Sequence, residues 1–76
     1  MNTRELEIKK KYEEQGWRAL KNGAPDFVML KVVDGVIQDM KMVEVKSPRG
    51  RLSYEQQVYK EIALKAGIPY IVEVVE

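Results

Sequence analysis

The sequence predicts an α/β fold in which a mixed sheet is flanked by two helices, in the order helix, strand, strand, strand, helix, strand (αβββαβ). Two observations predict it. Apolar residues recur at helical spacing near the start of the chain and again after residue 53. The stretches between and beyond are rich in Val, Ile, Leu and Met and are bounded by Gly, Asp or Pro. Because the chain contains no repeat and no linker, we expect residues 1–76 to form a single domain.

The first helix should begin after residue 2 or 3, run to about residue 15 and stop at Gly16, a residue that tolerates the left-handed conformation. Glu5 falls on the same helical stripe as Ile8 and Tyr12, so the helix would carry it toward whatever those residues pack against. Asn2-x-x-Glu5 is also a capping box, in which Glu5 bonds back to the helix start. Both interpretations of Glu5 remain open.

A short strand over residues 17–20 and a turn over residues 21–24 should follow the helix. We expect Trp17 and Phe27 to be core residues. The apolar run 26–33 predicts a central strand that is buried on both faces.

The pair Asp34-Gly35 predicts a tight hairpin that returns through residues 36–45 as an antiparallel partner. Apolar residues in that second strand do not alternate strictly, which predicts a bulge or an irregular start near residues 38–41.

A second helix should begin just after Ser53 and end at Gly67, and a final strand should span residues 69–75. One apolar face of this helix is expected to cover the sheet. That face consists of Tyr54, Val58, Ile62 and Ala66, flanked by Tyr59 and Ala63.

Glu44 and Lys46 place an acid and a base on one face of an otherwise apolar strand, whereas Val43 and Val45 share the other face. Charges near a core are costly unless they are paired or bind a metal. Antiparallel pairing returns Glu44 to the end of the sheet where Asp26 stands, so the two carboxylates should meet.

Two carboxylates, Asp26 and Glu44, together with the carbonyl of Val45, would suit Mg²⁺ or Mn²⁺. Lys46 could then orient or deprotonate an attacking water, or neutralise charge on a phosphate. The set is typical of phosphodiester hydrolysis. In the loop that follows, Arg49 and Arg51 could hold neighbouring phosphates, or they could be solvated loop charges.

The composition excludes several other chemistries. With no Cys and no His, zinc sites and Ser-His or Cys-His catalysis are excluded, and the lack of Cys is compatible with a reducing intracellular setting. The sequence contains no long apolar run and no signal peptide, so we expect an intracellular protein that does not associate with a membrane. We also expect no small-molecule cofactor. A net charge of +1 neither supports nor excludes binding to nucleic acid. A core this small favours a homo-oligomer.

The motifs also carry a resemblance to known nucleases. Pro25-Asp26 followed by Glu44-Val45-Lys46 resembles the PD-(D/E)XK motif of restriction-endonuclease-like folds. A longer string resembles the virus-type replication-repair nuclease (VRR-NUC) domain more specifically: Gly23-Ala24-Pro25-Asp26, Val43-Glu44-Val45-Lys46-Ser47-Pro48, Arg51-Leu52-Ser53 and Gln56. The first helix, with Glu5 well upstream of Gly16-Trp17, resembles the opening helix of archaeal Holliday-junction resolvases.

The resemblance implies that Asp26 and Glu44 bind the metal and that Lys46 assists the attacking water. It also implies that Glu5 is an outer or second metal ligand and that Gln56 lies beside the lysine. Here the domain stands alone. In this it resembles phage-encoded members of the family, which look like homodimeric junction resolvases. On this resemblance we expect a metal-dependent DNA endonuclease that acts on branched DNA as a homodimer, in the host cytoplasm if it is phage-encoded.

Other interpretations compete with this one. Ser53-x-x-Gln56 is a capping box that needs no chemistry. Glu44 and Lys46 could form a structural salt bridge at a sheet edge. The chain would then be a non-catalytic DNA-binding or scaffolding module on the same fold, or a structural protein with no nucleic-acid partner.

Overall fold

The computed structural model describes all residues, 1–76, and has the predicted element order. The elements are α1 (Thr3–Glu14), β1 (Arg18–Lys21), β2 (Phe27–Val33), β3 (Val36–Lys46), α2 (Tyr54–Lys65) and β4 (Tyr70–Val74). Neither helix has the length and apolar content that are needed to cross a membrane.

The four strands form one sheet in the order β1-β2-β3-β4. The first three strands run antiparallel to their neighbours, and β4 pairs parallel to β3, so the sheet is mixed as predicted. An α/β arrangement of this kind, with a mixed four-stranded sheet and two helices, is consistent with a restriction-endonuclease-like core.

The hairpin between β2 and β3 turns at Asp34 and Gly35, whose φ angles are 51° and 77°. Two positive φ angles in a two-residue loop match the twist of antiparallel strands, which explains the Asp-Gly pair. The register passes from Lys31 opposite Asp39 to Val32 opposite Ile37. Residue 38 is therefore left without a partner, and the bulge predicted at residues 38–41 is confirmed.

The hydrophobic core lies between α1 and one face of the sheet. It consists of Ile8, Tyr12, Trp17, Phe27, Met29, Val43 and Val45. This confirms that the stripe of Ile8 and Tyr12 on α1 faces the core and that Trp17 and Phe27 are core residues. It also confirms that Val43 and Val45 share one face of their strand, which is the inward one.

Burial of β2 on both faces was a wrong expectation. Phe27 and Met29 are fully buried under α1, but Val28 and Leu30 on the opposite face are only half-buried. The second helix packs on β4 rather than across the middle of the sheet, so the outer face of β2 carries no helix.

The predicted apolar face of α2 was wrong in part. Val58 is half-buried and the flanking Ala63 is buried, but Tyr54 and Ile62 are exposed, and the polar Gln56 is half-buried instead. The helix is turned so that Gln56 faces Glu44 and donates a hydrogen bond to it. A polar contact therefore sets the rotation of this helix.

The first strand lies one residue later than predicted, at Arg18–Lys21. Lys21 is consequently the last strand residue, opposite Phe27, and not part of the turn. Because Phe27 follows Asp26, this register places the Lys21 side chain beside the predicted site.

Candidate active site

Glu44 is the central residue of the site and is fully buried. Alternation along β3 directs Val43 and Val45 into the core under α1 and directs Glu44 to the side of α2. The Nε2 of Gln56 donates to its Oε1 at 2.7 Å, and the hydroxyl of Tyr70 donates to its Oε2 at 3.1 Å. Both oxygens therefore have a protein donor, and the carboxyl is fixed in one orientation.

Asp26 lies just before β2, at the end of the sheet where β3 ends. Its Oδ2 accepts a hydrogen bond from the backbone N–H of Val45 at 2.9 Å, so the side chain continues the strand ladder. Its Oδ1 lies 3.6 Å from the Nζ of Lys21. In a strand the N–H and C=O of one residue point to the same neighbour, so the carbonyl of Val45 is also directed to this side.

The electrostatics of the site show that Asp26 and Glu44 interact. Burial raises the pKa of Glu44 to about 7, and the like charge of the nearby Asp26 adds to the effect. Tyr70 and Lys46 act in the opposite direction and offset this only in part. Burial and the charge of Glu44 in turn raise the pKa of Tyr70 well above its ordinary value.

Glu5 satisfies both interpretations of its position. Its Oε1 accepts the backbone N–H of Asn2 at 3.1 Å and thereby closes the capping box of α1. Its Oε2 accepts the Nζ of Lys21 at 2.9 Å, and Lys21 in turn reaches Asp26. Burial acts to raise the pKa of Glu5, but the bonds from Lys21 and Asn2 outweigh it and hold that pKa below its ordinary value.

Gln56 has the same double role at the start of α2. Its Oε1 accepts the backbone N–H of Ser53 at 2.8 Å, and its Nε2 donates to Glu44. The resemblance implied that Gln56 lies beside the lysine, but the hydrogen bond that the structure gives it is to the carboxylate. An amide can do both because it carries an acceptor and a donor.

Lys46 shares the face of Glu44, is half-buried and forms no ion pair within 4.0 Å. Gly50 lies against its stem: a Cβ at that position would be 3.2 Å from the Cδ of Lys46 and 3.2 Å from the carbonyl oxygen of Ser47. The loop therefore closes over the lysine without a side chain between them. Arg49 and Arg51, in this loop, are exposed and form no ion pair either.

The family of the chain follows from comparison with known proteins. The family model described as the VRR-NUC domain matches residues 4–76. The chain belongs to the VRR-NUC domain family. No curated protein and no solved structure matches it. Family membership makes this a nuclease-type domain.

Nucleases of this kind usually use divalent metals, and the fit of this VRR-NUC domain to such an ion depends on its oxygen donors. No group of three or more acidic side chains has the spacing to hold an ion. Asp26 and Glu44 nevertheless fit as a pair, because Asp26 is bonded to the backbone of Val45, next to the fully buried Glu44, and no Lys or Arg forms an ion pair with Glu44. A divalent cation would offset the charge of the two carboxylates, and carboxylate and carbonyl oxygens are the ligands that Mg²⁺ prefers.

Sequence reasoning missed two residues of the site, Lys21 and Tyr70. The sequence pattern places Lys21 in the turn over residues 21–24 and Tyr70 in the last strand, and it gives neither residue a role in the site. Both residues could be identified only from the strand register. Lys21 lies opposite Phe27, the residue after Asp26, and Tyr70 lies opposite Met42, which precedes Glu44 by two residues.

Proposed function

We propose that this VRR-NUC domain is a Mg²⁺- or Mn²⁺-dependent endonuclease that hydrolyses phosphodiester bonds of DNA at Holliday junctions or other branched structures inside the cell. The observation that supports it most is the fully buried Glu44 held against Asp26, with Lys46 on the same strand face. A fold that needed these residues only for structure would not gain from a second carboxylate beside a buried one, since an uncompensated buried charge destabilises the folded state.

Each residue has a proposed role. Asp26, Glu44 and the carbonyl of Val45 would hold the cation. When bound, it would supply acidity to a water and polarise a phosphoryl oxygen. Lys46 would orient the attacking water and, as an ammonium group, offset the charge that builds on the phosphate. Gln56 would keep Glu44 in place.

Two guanidinium groups would hold the DNA backbone next to the reacting phosphate. Arg49 and Arg51 are exposed in the loop between β3 and α2, which adjoins Lys46. Their forked donors suit phosphate oxygens, and phosphate contacts position DNA without reading its sequence.

A homodimer would let so small a domain engage a branched substrate. An uncovered sheet face supports this proposal. The face lies opposite α1 and consists of Leu20, Val28, Leu30, Val32, Ile37, Met40 and Met42. A second copy placed by a two-fold axis would remove this apolar surface from water.

The decisive experiment is an incubation with linear, flap and four-way-junction DNA, with and without Mg²⁺. We expect cleavage only with Mg²⁺, and loss of cleavage in Asp26→Asn and Lys46→Ala while circular dichroism stays that of the wild type. Glu61→Gln, which changes an exposed acid on α2, is the matched control and should cleave normally. Wild-type cleavage of a four-way junction by Asp26→Asn would show that the role of Asp26 is wrong.

A non-catalytic DNA-binding module is the second candidate, and one observation favours it. Every oxygen of Glu5, Asp26 and Glu44 already has a protein partner, and no three acids are spaced for one ion. DNA binding that persists in EDTA, without cleavage in Mg²⁺ or Mn²⁺, would support this alternative over the endonuclease.

A further inference from the structure

Lys21 occupies a position between two carboxylates of the candidate site. Its Nζ lies 2.9 Å from the Oε2 of Glu5 and 3.6 Å from the Oδ1 of Asp26. Glu5 comes from α1, Lys21 from β1 and Asp26 from the start of β2, so this one ammonium joins three parts of the chain.

Lys21 differs from every other partner of the three acidic side chains. Asn2 and Val45 donate through backbone N–H groups, Gln56 through an amide and Tyr70 through a hydroxyl. All four are neutral donors. Lys21 is the one cationic partner within 4.0 Å, and it is the only compensation by positive charge that Glu5 and Asp26 receive at that distance.

We propose that Lys21 is the internal counter-ion of the metal site: its ammonium holds Glu5 and Asp26 in the metal-free protein, and a divalent cation displaces it on binding. The inference rests on the proposed metal dependence of the site. It assigns to Lys21 a positioning role, because the ammonium acts on the two carboxylates and not on the reacting atoms.

Competition follows from the geometry. A cation ligated by Asp26 would approach the same oxygens at which the ammonium now stands, and two positive charges at that separation repel strongly. The side chain of Lys21 is 42% exposed and has a flexible stem, so its ammonium can leave into solvent. Its Nζ also lies 5.4 Å from the centre of the Phe27 ring, so the displaced ammonium would give up this cation–π contact as well.

The consequence is a measurable cost to metal affinity. If the ammonium occupies the site for most of the time, metal can bind only the small fraction of protein in which the site is free. The apparent dissociation constant is then the intrinsic one divided by that fraction, so metal binding is weaker. Removing the ammonium should therefore tighten metal binding and, at the same time, weaken the metal-free fold, since Glu5 and Asp26 lose their counter-charge.

The test uses Lys21→Met, which keeps an unbranched side chain of similar length and removes the charge. Isothermal titration with Mn²⁺ should show binding about tenfold tighter than in the wild type. In EDTA the variant should melt about 5 °C lower, and saturating Mn²⁺ should abolish that difference. Lys31→Met is the matched control, because Lys31 also lies over an aromatic ring, 4.8 Å from the centre of Trp17, but forms no ion pair.

A second measurement needs no variant. In the wild-type protein, titration with diamagnetic Mg²⁺ should shift the ε-methylene NMR signal of Lys21 and leave that of Lys31 in place. Unchanged or weaker Mn²⁺ binding in Lys21→Met, with metal binding intact in the wild type, would overturn the counter-ion role alone. Absence of metal binding in both proteins would overturn the proposed metal dependence as well.

Discussion

Glu44 is a buried carboxyl whose burial is offset only in part by the hydrogen bonds that it accepts. A hydrogen bond to a buried charged group contributes roughly 1.5–3 kcal/mol, and Glu44 receives one from Gln56 and one from Tyr70. Its pKa is nevertheless raised to about 7, because burial and the neighbouring Asp26 outweigh the opposing effects. The site therefore holds a carboxyl that is not fully ionised at neutral pH until a positive charge arrives.

This raised pKa predicts a pH dependence of the metal-free protein. The pKa of Glu44 is 4.5 in an unperturbed chain and about 7 in the fold, so the folded state binds the proton more tightly. Its stabilising contribution is complete below about pH 4.5 and is lost as the pH rises through 7. Glu44→Gln removes this titration. In EDTA, we expect the variant to be more stable than the wild type at pH 8, by on the order of 2 kcal/mol.

Urea unfolding at pH 5, 6, 7 and 8 measures the free energy of unfolding of the wild type and of Glu44→Gln. The difference between the two values at each pH reports the contribution of Glu44, because all other titrating groups are the same in both proteins. Glu61→Gln, at an exposed site, should run parallel to the wild type over the whole range. A constant offset between Glu44→Gln and the wild type would contradict the assigned pKa.

The three site residues at the centre of the prediction could be found from sequence because they depend only on strand alternation and one hairpin. Alternation puts Glu44 and Lys46 on one face, and the Asp-Gly turn brings Asp26 to them. Lys21 and Tyr70 could not be found in this way, since their places depend on which residues pair across β1–β2 and β3–β4. A shift of one residue in β1 was enough to hide Lys21.

At the scale of elements, both helices begin at the site, and each uses its capping residue twice. Glu5 and Gln56 are the third helical residues of α1 and α2, and each reaches back to its own N-cap and across to the site. The sequence showed two capping boxes, and the choice between cap and site could not be made from it. The two functions use different atoms of one side chain and do not exclude each other.

The double role of Gln56 predicts that its two functions can be separated by mutation. Ser53→Ala removes the hydroxyl that accepts the backbone N–H of Gln56 at 3.1 Å, which should cost about 1 kcal/mol of stability without loss of cleavage. Gln56→Ala removes the cap contact and also leaves an oxygen of Glu44 without its donor, so it should reduce both stability and the cleavage rate. Chemical denaturation and single-turnover cleavage measure the two effects. Equal cleavage rates in the two variants would show that the bond to Glu44 has no role in catalysis.

Element types and their order followed from local patterns, but the way in which the layers cover the sheet did not. The apolar stripe of α1 faces the core as expected, because Ile8 and Tyr12 have no competing polar contact. In α2 the hydrogen bond between Gln56 and Glu44 fixes the rotation, so Tyr54 and Ile62 remain exposed. Hydrophobic periodicity alone could not show that a polar bond would decide the orientation.

At the scale of the whole molecule, the uncovered sheet face opposite α1 is the largest departure from the predicted fold. Leu20 and Ile37 are 51% and 59% exposed there, and the residues between them are half-buried under no helix. A small domain buries a smaller fraction of its surface than a large one, and here much of one sheet face stays in contact with water. A second copy on that face, as proposed above, would add to the stability of the fold.

The proposed dimer makes a prediction that a single substitution can test. Leu30 lies near the middle of the uncovered face, on an inner strand, so Leu30→Glu places a charge in the contact between the two copies. Light scattering coupled to size exclusion should report two chains for the wild type and one for the variant. Leu64→Glu is the matched control, because Leu64 is 65% exposed on α2, outside this face, and should leave the dimer intact. The monomeric variant should still cut flap substrates but lose paired cuts across a four-way junction, since each copy would supply one active site. A wild-type protein that is monomeric at high micromolar concentration would contradict the proposal directly.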